Sequence, residues 1–357
     1  MAYTDIDDPS AYFQTKLYTG TRANLNVTFD GNSDMSPNLV WVKDRTNTNN
    51  QIMFDSVRGI NKAILPNAAN AETTYTDSVT AFNSDGFTLG DDDEGQCNVD
   101  GNACASWNWK AGTSFTNDAS STGIGSIDSA GSVSTAAGFS IISYTGTGSA
   151  ATVAHGLGSA PRMIIIKDRS NGRNWGVYHQ SMGNLDAIYL DLTNEKGGNS
   201  SAFWNSTSPT SSVFSINTRN EVNASSANMI AYCFAEKKGY SKFGSYEGNG
   251  NADGTFVYLG FKPAWLMVKP IDAADNWVMF DNKRLGFNSS TSPFNFYANK
   301  NFAETTDTGQ LDFVSNGFKI RNSGGTVNKT SAYIYMAFAE NPFVTSTGNG
   351  SIPATAR

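Results

Sequence analysis

The chain has 357 residues, 39 % of them hydrophobic, and 25 Lys and Arg against 32 Asp and Glu give a net charge of −7. So acidic a chain lacks the clustered cations that nucleic-acid phosphates require, and it contains no run of 18 apolar residues that could span a membrane. Only 16 % of residues are charged, and polarity comes instead from Asn, Ser, Thr and Gly, which disfavour helices and suit short strands joined by tight turns.

The opening Met1-Ala2-Tyr3-Thr4-Asp5-Ile6-Asp7-Asp8 has neither a basic n-region nor an apolar core, so no secretory signal is expected there. A first aromatic strand leads to Tyr18-Thr19-Gly20, and an apolar strand runs from Pro37 to Lys43. Proline at a strand's first residue removes no needed ladder donor. Asn50-Gln51 and Phe54-Asp55 follow at seven and eleven residues past Lys43. Asn70 to Val79 is the one short candidate for a helix. A Gly86-Phe87 strand and the closing Ser106-Trp107-Asn108-Trp109-Lys110 complete the pattern.

That pattern returns twice. Tyr144-Thr145-Gly146, Pro161 to Lys167, Asn174-Trp175, Tyr178-His179, Val213-Phe214 and Tyr232-Cys233-Phe234-Ala235-Glu236 form the second copy. Tyr246-Glu247-Gly248, Pro263 to Lys269, Asn276-Trp277, Phe280-Asp281, Gly317-Phe318 and Phe338-Ala339-Glu340 form the third. Equal offsets in three copies predict an all-β protein of three tandem antiparallel β-sandwich units. The expected division is 1–110, a Ser/Gly/Thr-rich linker or surface loop at 111–137, 138–238, 239–344 and a tail at 345–357. Only Lys237 to Gly239 separates the second and third copies. So short a connection favours packed units, arranged as an intrachain pseudo-threefold, over a string of beads.

Recurring residues are expected to be scaffold, and residues particular to one copy are candidates for function. Pro37, Lys43, Pro161, Lys167, Pro263 and Lys269 mark the repeat. Lys167 is expected to pair with Glu236 and Lys269 with Glu340, while Lys43 needs another partner because Lys110-Ala111 replaces the closing glutamate. His179 takes the place of Asp55 and Asp281, and His155 sits in a turn, so neither is expected to act as a catalyst or zinc ligand. Cys233 reads as a small buried thiol, and Cys97 and Cys104 flank a hairpin loop where a local disulfide is an alternative to free thiols. Asp91, Asp93 and Asp100 lie in the densest carboxylate cluster, whose oxygens could suit calcium; a solvated acidic hairpin tip is the competing reading. Asn249 to Gly254 imitates half of a calcium loop but reads as a hairpin turn. Trp204 and Asn205, in a polar segment peculiar to the second copy, are the candidate ligand-binding residues, with a buried local plug as the alternative. No catalytic motif is found, and apart from calcium no cofactor is expected.

The run Tyr-Thr-Gly, then His155-Gly156-Leu157-Gly158 before Pro161 and its strand, then the Gly-Phe strand and Phe-Ala-Glu, resembles repeats in structural and tail-fibre proteins of marine bacteriophages. The likeness runs from about Tyr18 to Val344. More loosely, the pattern is similar to six-stranded H-type lectin-like sandwiches, which pack as trimers. The resemblance implies a non-enzymatic virion surface protein, made in the host cytoplasm and released by lysis, that acts by binding. A tail fibre or host-recognition component is the first expectation. A capsid-decoration or head-fibre protein and a carbohydrate-binding module of an adhesin are the alternatives. The implied partners are other virion proteins, further copies of the chain, and a glycan or receptor on the host surface.

Overall fold

The computed structural model describes residues 4–198, 201–284, 288, 294–306, 310–324 and 326–346. The chain is all-β, and most of the expected tail at 345–357 lies outside the described residues. The first part forms β1 (Phe13–Thr19), β2 (Leu25–Val27), β3 (Leu39–Asp44), β4 (Ile52–Asp55), β5 (Gly59–Ile64), β6 (Thr73–Thr74), β7 (Val79–Phe82), β8 (Phe87–Leu89) and β9 (Ala103–Trp109). These make a large antiparallel sheet ordered β1-β9-β3-β4-β5-β6 and a small one ordered β2-β8-β7.

Next come β10 (Thr113–Asn117), α1 (Ala119–Thr122), β11 (Ser129–Ser134), β12 (Phe139–Thr145), β13 (Ala151–Ala154), β14 (Met163–Asp168), β15 (Gly176–His179), β16 (Asp186–Tyr189) and β17 (Gly197–Gly198). The short α2 (Ser201–Trp204), β18 (Val213–Ile216), α3 (Asn220–Asn223) and β19 (Asn228–Phe234) follow. Here the large sheet reads β10-β11-β12-β19-β14-β15-β16-β17 and the small one β13-β18.

The last part contains β20 (Ser241–Glu247), β21 (Phe256–Tyr258), β22 (Phe261–Pro270), β23 (Val278–Asp281), β24 (Phe294–Tyr297), β25 (Thr305–Thr306), β26 (Leu311–Val314), β27 (Gly317–Ile320) and β28 (Ala332–Pro342). Its sheets are β20-β28-β22-β23-β24-β25 and β21-β27-β26. The path β1-β9-β3-β4-β5-β6 therefore recurs as β12-β19-β14-β15-β16-β17 and β20-β28-β22-β23-β24-β25, beside small sheets of three, two and three strands.

Two expectations from composition are corrected. Residues 111–137 are no linker: β10 and β11 add two strands to the edge of the second large sheet through β12, and Val133 of β11 is buried. Ser- and Thr-rich segments can pair through their backbones, which composition does not reveal. Asn70 to Val79 is no helix. Thr73 and Thr74 pair with Ala63 and Lys62, and the Glu72 N–H donates to the Arg169 carbonyl of the second sheet at 3.0 Å. Tertiary pairing overrides a weak local preference there.

Alternate residues of each Pro-initiated strand enter different cores, because side chains alternate across a sheet. Val40 and Val42 pack beneath the first small sheet, Ile164 and Ile166 beneath the second, and Leu266 and Val268 beneath the third. Leu39 with Trp41, Met163 with Ile165, and Trp265 with Met267 all enter one central cluster shared by the three large sheets. Both faces of these strands are buried, which is why they read as unbroken apolar runs. Trp109, Phe234 and Phe338 meet in this cluster, with Trp109 and Phe338 ring centroids 5.7 Å apart and Phe234 and Phe338 6.0 Å apart. Each such side chain contributes about 1.5–3 kcal/mol by leaving water.

Candidate functional site

The polar groups that recur in the repeat lie where one large sheet meets another. Trp175 of the second sheet donates from Nε1 to the Leu65 and Ala68 carbonyls of the first, at 3.0 and 3.2 Å. Trp277 of the third donates to the Tyr189 carbonyl of the second at 2.8 Å. Gln51 stands at this position in the first sheet, and its Nε2 reaches the Tyr297 and Lys300 carbonyls of the third at 2.7 and 3.0 Å. The contacts thus run from second to first, third to second and first to third.

The contacts of Asp55, His179 and Asp281, the last residues of β4, β15 and β23, run in the opposite sense. Asp55 accepts from the Tyr232 hydroxyl of the second sheet at 2.7 Å, and Asp281 accepts from Trp107 Nε1 of the first at 3.1 Å. His179 Nε2 donates to the Tyr335 carbonyl of the third at 3.1 Å, while its Nδ1 accepts from the Ser181 N–H, which fixes a neutral ring. Burial pulls His179 down to about 4, and His155, bonded to the Thr210 carbonyl, likewise to about 4. Both histidines are structural in this arrangement.

The three lysines are buried, and burial lowers each ammonium to about 8. The expected pairs with Glu236 and Glu340 do not form. Lys167 Nζ donates to the Ala69 and Arg173 carbonyls, and Lys269 Nζ to those of Pro270 and Thr193. Lys43 Nζ donates to the Asp44, Asn47 and Asn49 carbonyls. These side chains leave their strands toward the junctions and not along the sheet edge, so they meet loop carbonyls; Glu340 pairs with Lys262 at 2.9 Å. Pro37 and Pro161 lie two residues before β3 and β14, whereas Pro263 is the third residue of β22, where the ladder with β28 shifts register, so it does not open its strand as expected.

Two recurring devices escaped the sequence reading. Tyr18, Tyr144 and Tyr246 donate to the carbonyls of Cys97, Val222 and Val327, and the next residue in each case is an Asn with no solvent exposure. Asn98 clasps Thr21 N, Ala23 O and Gly90 O; Asn223 clasps Thr147 N, Ser149 O and Asn217 O; Asn328 clasps Asn249 N, Asn251 O and Asn322 O. The loop at Asn249 to Gly254 is therefore a clamped turn. The second device is a shared glutamate between two arginines: Glu72 lies 3.3 Å from Arg58 and 2.8 Å from Arg169, and Glu304 lies 3.1 Å from Arg284 and 2.6 Å from Arg45.

The candidate ligand residues separate. Trp204 is 1 % exposed, donates to the Asp186 carbonyl at 3.1 Å and packs edge-on against Tyr178, so it is the local plug and not a binding platform. Asn205 beside it is exposed. Asp91 and Asp93 come together with Asp77, one ligand oxygen from each lying within 4.8 Å of the others; Asp100 is not part of this group. Such oxygens could hold a hard cation, yet Asp77 already accepts from the Asp93 N–H at 2.9 Å, which holds it below the usual carboxylate range. Cys97 and Cys104 are free buried thiols, with Cys104 Sγ directed at the Cys97 carbonyl and not at its sulfur.

Exposed aromatics appear instead on β21, where Phe256 is 47 % and Tyr258 55 % exposed. The pairing of Val27, Val153 and Val257 with Phe87, Phe214 and Phe318 makes Asn26 and Thr152 the counterparts of Phe256, and Thr28 and Ala154 those of Tyr258. The aromatic pair is thus peculiar to the third sheet. Tyr258 borders a hollow of about 370 Å³ that Glu236, Lys242 and Phe343 also line. Lys242 Nζ lies 5.3 Å from the Tyr258 ring centroid.

A second hollow, of about 200 Å³, lies between the first and third sheets and is lined by Thr15, Asp30, Ala264, Asn282, Lys283 and Glu340 among others. Burial would raise Asp30, but Lys283 and Lys16 hold it below the usual carboxylate range, at 3.2 and 3.3 Å. With Glu340 bound to Lys262, these carboxylates are ion-pair partners and not a primed acid and base.

These features define an antiparallel β-sandwich protein whose recurring polar residues serve packing between sheets. The chain matches the family described as domain of unknown function DUF7483 over residues 8–342, and it belongs to that family. No curated protein and no solved structure matches it. Among the described residues no helix is long and apolar enough to cross a membrane.

Proposed function

We propose that this protein is a surface component of a bacteriophage particle, a tail fibre or host-recognition part, that works by binding. The observation supporting this most is the head-to-tail path of Gln51, Trp175 and Trp277, which links the first sheet to the third, the third to the second and the second to the first. A single chain thereby packs three like sheets around one core, as three subunits of a trimer would, in an intrachain pseudo-threefold. His179, Lys167 and Lys269 are engaged in that packing, and His155 and Lys43 in hydrogen bonds to their own loops, which favours a rigid binding scaffold over an enzyme. The viral location rests on the resemblance of the repeats to phage proteins.

The exposed pair Phe256 and Tyr258 favours a glycan as the bound surface, since sugar faces stack on flat aromatic rings. Antibodies raised against the chain should label intact particles, and the purified chain should slow their adsorption to the host. Absence of label on the particle, together with unchanged adsorption, would remove this reading.

A further inference from the structure

The three large sheets cover one equivalent edge in different ways. Phe13, Phe139 and Ser241 pair with Trp109, Phe234 and Phe338, so Gln14, Ser140 and Lys242 hold equivalent places on β1, β12 and β20. The pairing of Val27, Val153 and Val257 likewise aligns Asp30, Gly156 and Gly260.

In the first sheet the chain folds back over this place. Gln14 is buried, its Nε2 donates to the Ser10 and Ser33 carbonyls at 3.0 and 2.9 Å, and its Oε1 accepts from the Gly31 N–H at 2.8 Å. In the second sheet the paired strands β10 and β11 lie over it. Val133 pairs with Ser140, and a Cβ added at Gly156 would fall 2.8 Å from Phe115 Cδ2 and 2.9 Å from Val133 Cγ2. Phe115 therefore rests where only a glycine leaves room. In the third sheet, among the described residues, the place stays open as the hollow of about 370 Å³ beside Lys242 and Gly260. Gly260 shares the left-handed backbone of Gly156, with φ of +82° against +71°. Lys242, Tyr258, Gly260 and Phe343 on its wall all keep solvent-facing surface, so a ligand can touch them. The volume falls within the roughly 300–1,000 Å³ of known binding sites.

The smaller hollow offers less. Leu39, Met163 and Trp265 pair with Asp55, His179 and Asp281, so Asn38, Arg162 and Ala264 hold equivalent places. Asn38 Oδ1 accepts from the Ala111 and Gly112 N–H groups and Arg162 bonds to Gln180, whereas Ala264 leaves the space of about 200 Å³. Its unpaired polar atoms, Thr15 Oγ1 and Asn282 Oδ1, are shielded and beyond a ligand's reach.

Charge at the larger hollow also has a sign. Lys238 and Lys242 line it against one carboxylate, Glu236, while residues 111–137, which cover the equivalent place in the second sheet, contain Asp118 and Asp128 and no basic residue.

We propose that the hollow of the third sheet docks an extended segment of another polypeptide, which lays an aromatic side chain over Gly260 and a carboxylate beside Lys242. The segment does there what β10 and Phe115 do for the second sheet. Aromatic anchors seated in such recesses carry much of the energy of protein contacts. This contact serves assembly with a protein partner and does not depend on the recognition role.

The test is an amide NMR titration of the full ¹⁵N-labelled chain with a synthetic peptide of residues 111–137, closed into a ring by a disulfide between cysteines added at its ends. Shifts should fall on Lys242, Gly260, Phe343 and their neighbours, with half-saturation below about 1 mM. Phe115→Ala in the peptide should weaken binding about tenfold or more, as loss of a buried ring would. Lys242→Glu in the chain should weaken it about threefold or more, by an amount that added salt reduces. Lys242 is half-buried at the surface, so the far-UV spectrum should not change. No binding at about 1 mM, shifts confined to β12, or undiminished binding after either substitution would overturn the proposal. Shifts at the same amides with methyl glycosides but none with the peptide would assign the hollow to a sugar and overturn it as well. Labelling of particles by antibodies separates this from the broader role. If the peptide binds and particles stay unlabelled, the contact stands and the particle reading falls; if particles are labelled and the peptide does not bind, the reverse holds.

Discussion

Replacing Asp55 by alanine tests the junction between the first and second sheets. Asp55 Oδ2 accepts from Arg58 Nε at 2.5 Å and from the Tyr232 hydroxyl at 2.7 Å, and its Oδ1 caps the Val57 and Arg58 N–H groups. The Asp55 and Arg58 side chains are both 0 % exposed. Breaking a buried pair by removing one partner costs about 3–5 kcal/mol. Leaving the Tyr232 hydroxyl without an acceptor adds about 1–3 kcal/mol. Arg58 keeps Glu72 at 3.3 Å, which places the sum near the lower end, about 4–6 kcal/mol. Urea unfolding should show this as a lower midpoint at unchanged slope. The apolar double variant Asp55→Leu with Arg58→Met should regain most of the loss, since no charge is then left unpaired. Tryptophan fluorescence and far-UV circular dichroism should report one coincident transition, because the sheets share a central cluster. A cost below about 1 kcal/mol for Asp55→Ala, or separate melting of the first sheet, would refute the reasoning.

Acidification should weaken the fold through its histidines. His155 and His179 titrate near 4 when folded and near 6.5 when unfolded, so stability present above about 6.5 is lost as pH falls through 4, by about 3 kcal/mol for each. Asp191, raised by burial to about 6, acts in the opposite sense and gains stability as pH falls below its folded value. Comparing unfolding of the wild type and His179→Gln between pH 7 and 4.5 isolates one histidine. Asn223→Ala, which releases Thr147 N, Ser149 O and Asn217 O, should lower stability by about 1–3 kcal/mol in chemical denaturation. Trp204→Ala should cost about 3–5 kcal/mol by calorimetry, as removal of a buried tryptophan does. Tyr258→Ala should change stability by less than about 0.5 kcal/mol yet reduce retention on a host-glycan array.

The strand pattern was largely legible because offsets and β-periodicity depend on the local chain. Pro37, Pro161 and Pro263 marked the right strands, and Trp109, Phe234 and Phe338 were rightly set beside one another as core. What failed depended on distant partners. Trp204 stood between a binding residue and a buried plug because its neighbours in sequence are polar, while the groups that cover it, such as Tyr178 and Asp186, lie elsewhere in the chain. Lys167 and Lys269 were given carboxylates because their charge suggested them, but backbone carbonyls, Ala69 and Thr193 of neighbouring sheets among them, accept their hydrogen bonds. Asn98, Asn223 and Asn328 carried a usable signal. They stand eleven, eleven and ten residues before Trp109, Phe234 and Phe338, but isolated asparagines are unremarkable in a chain so rich in them. The hollow beside Ala264 was invisible, since it arises from what two distant positions lack.

Covalent linkage of the three sheets frees them from a constraint that binds true homotrimers. When identical subunits assemble, every substitution appears at three contacts at once, so none can be improved or opened alone. Here Gln51 can stand opposite carbonyls that two tryptophans address elsewhere, and Ala264 can leave a space that Asn38 and Arg162 close in their own settings. One contact can thus change or loosen while the other two keep the assembly shut.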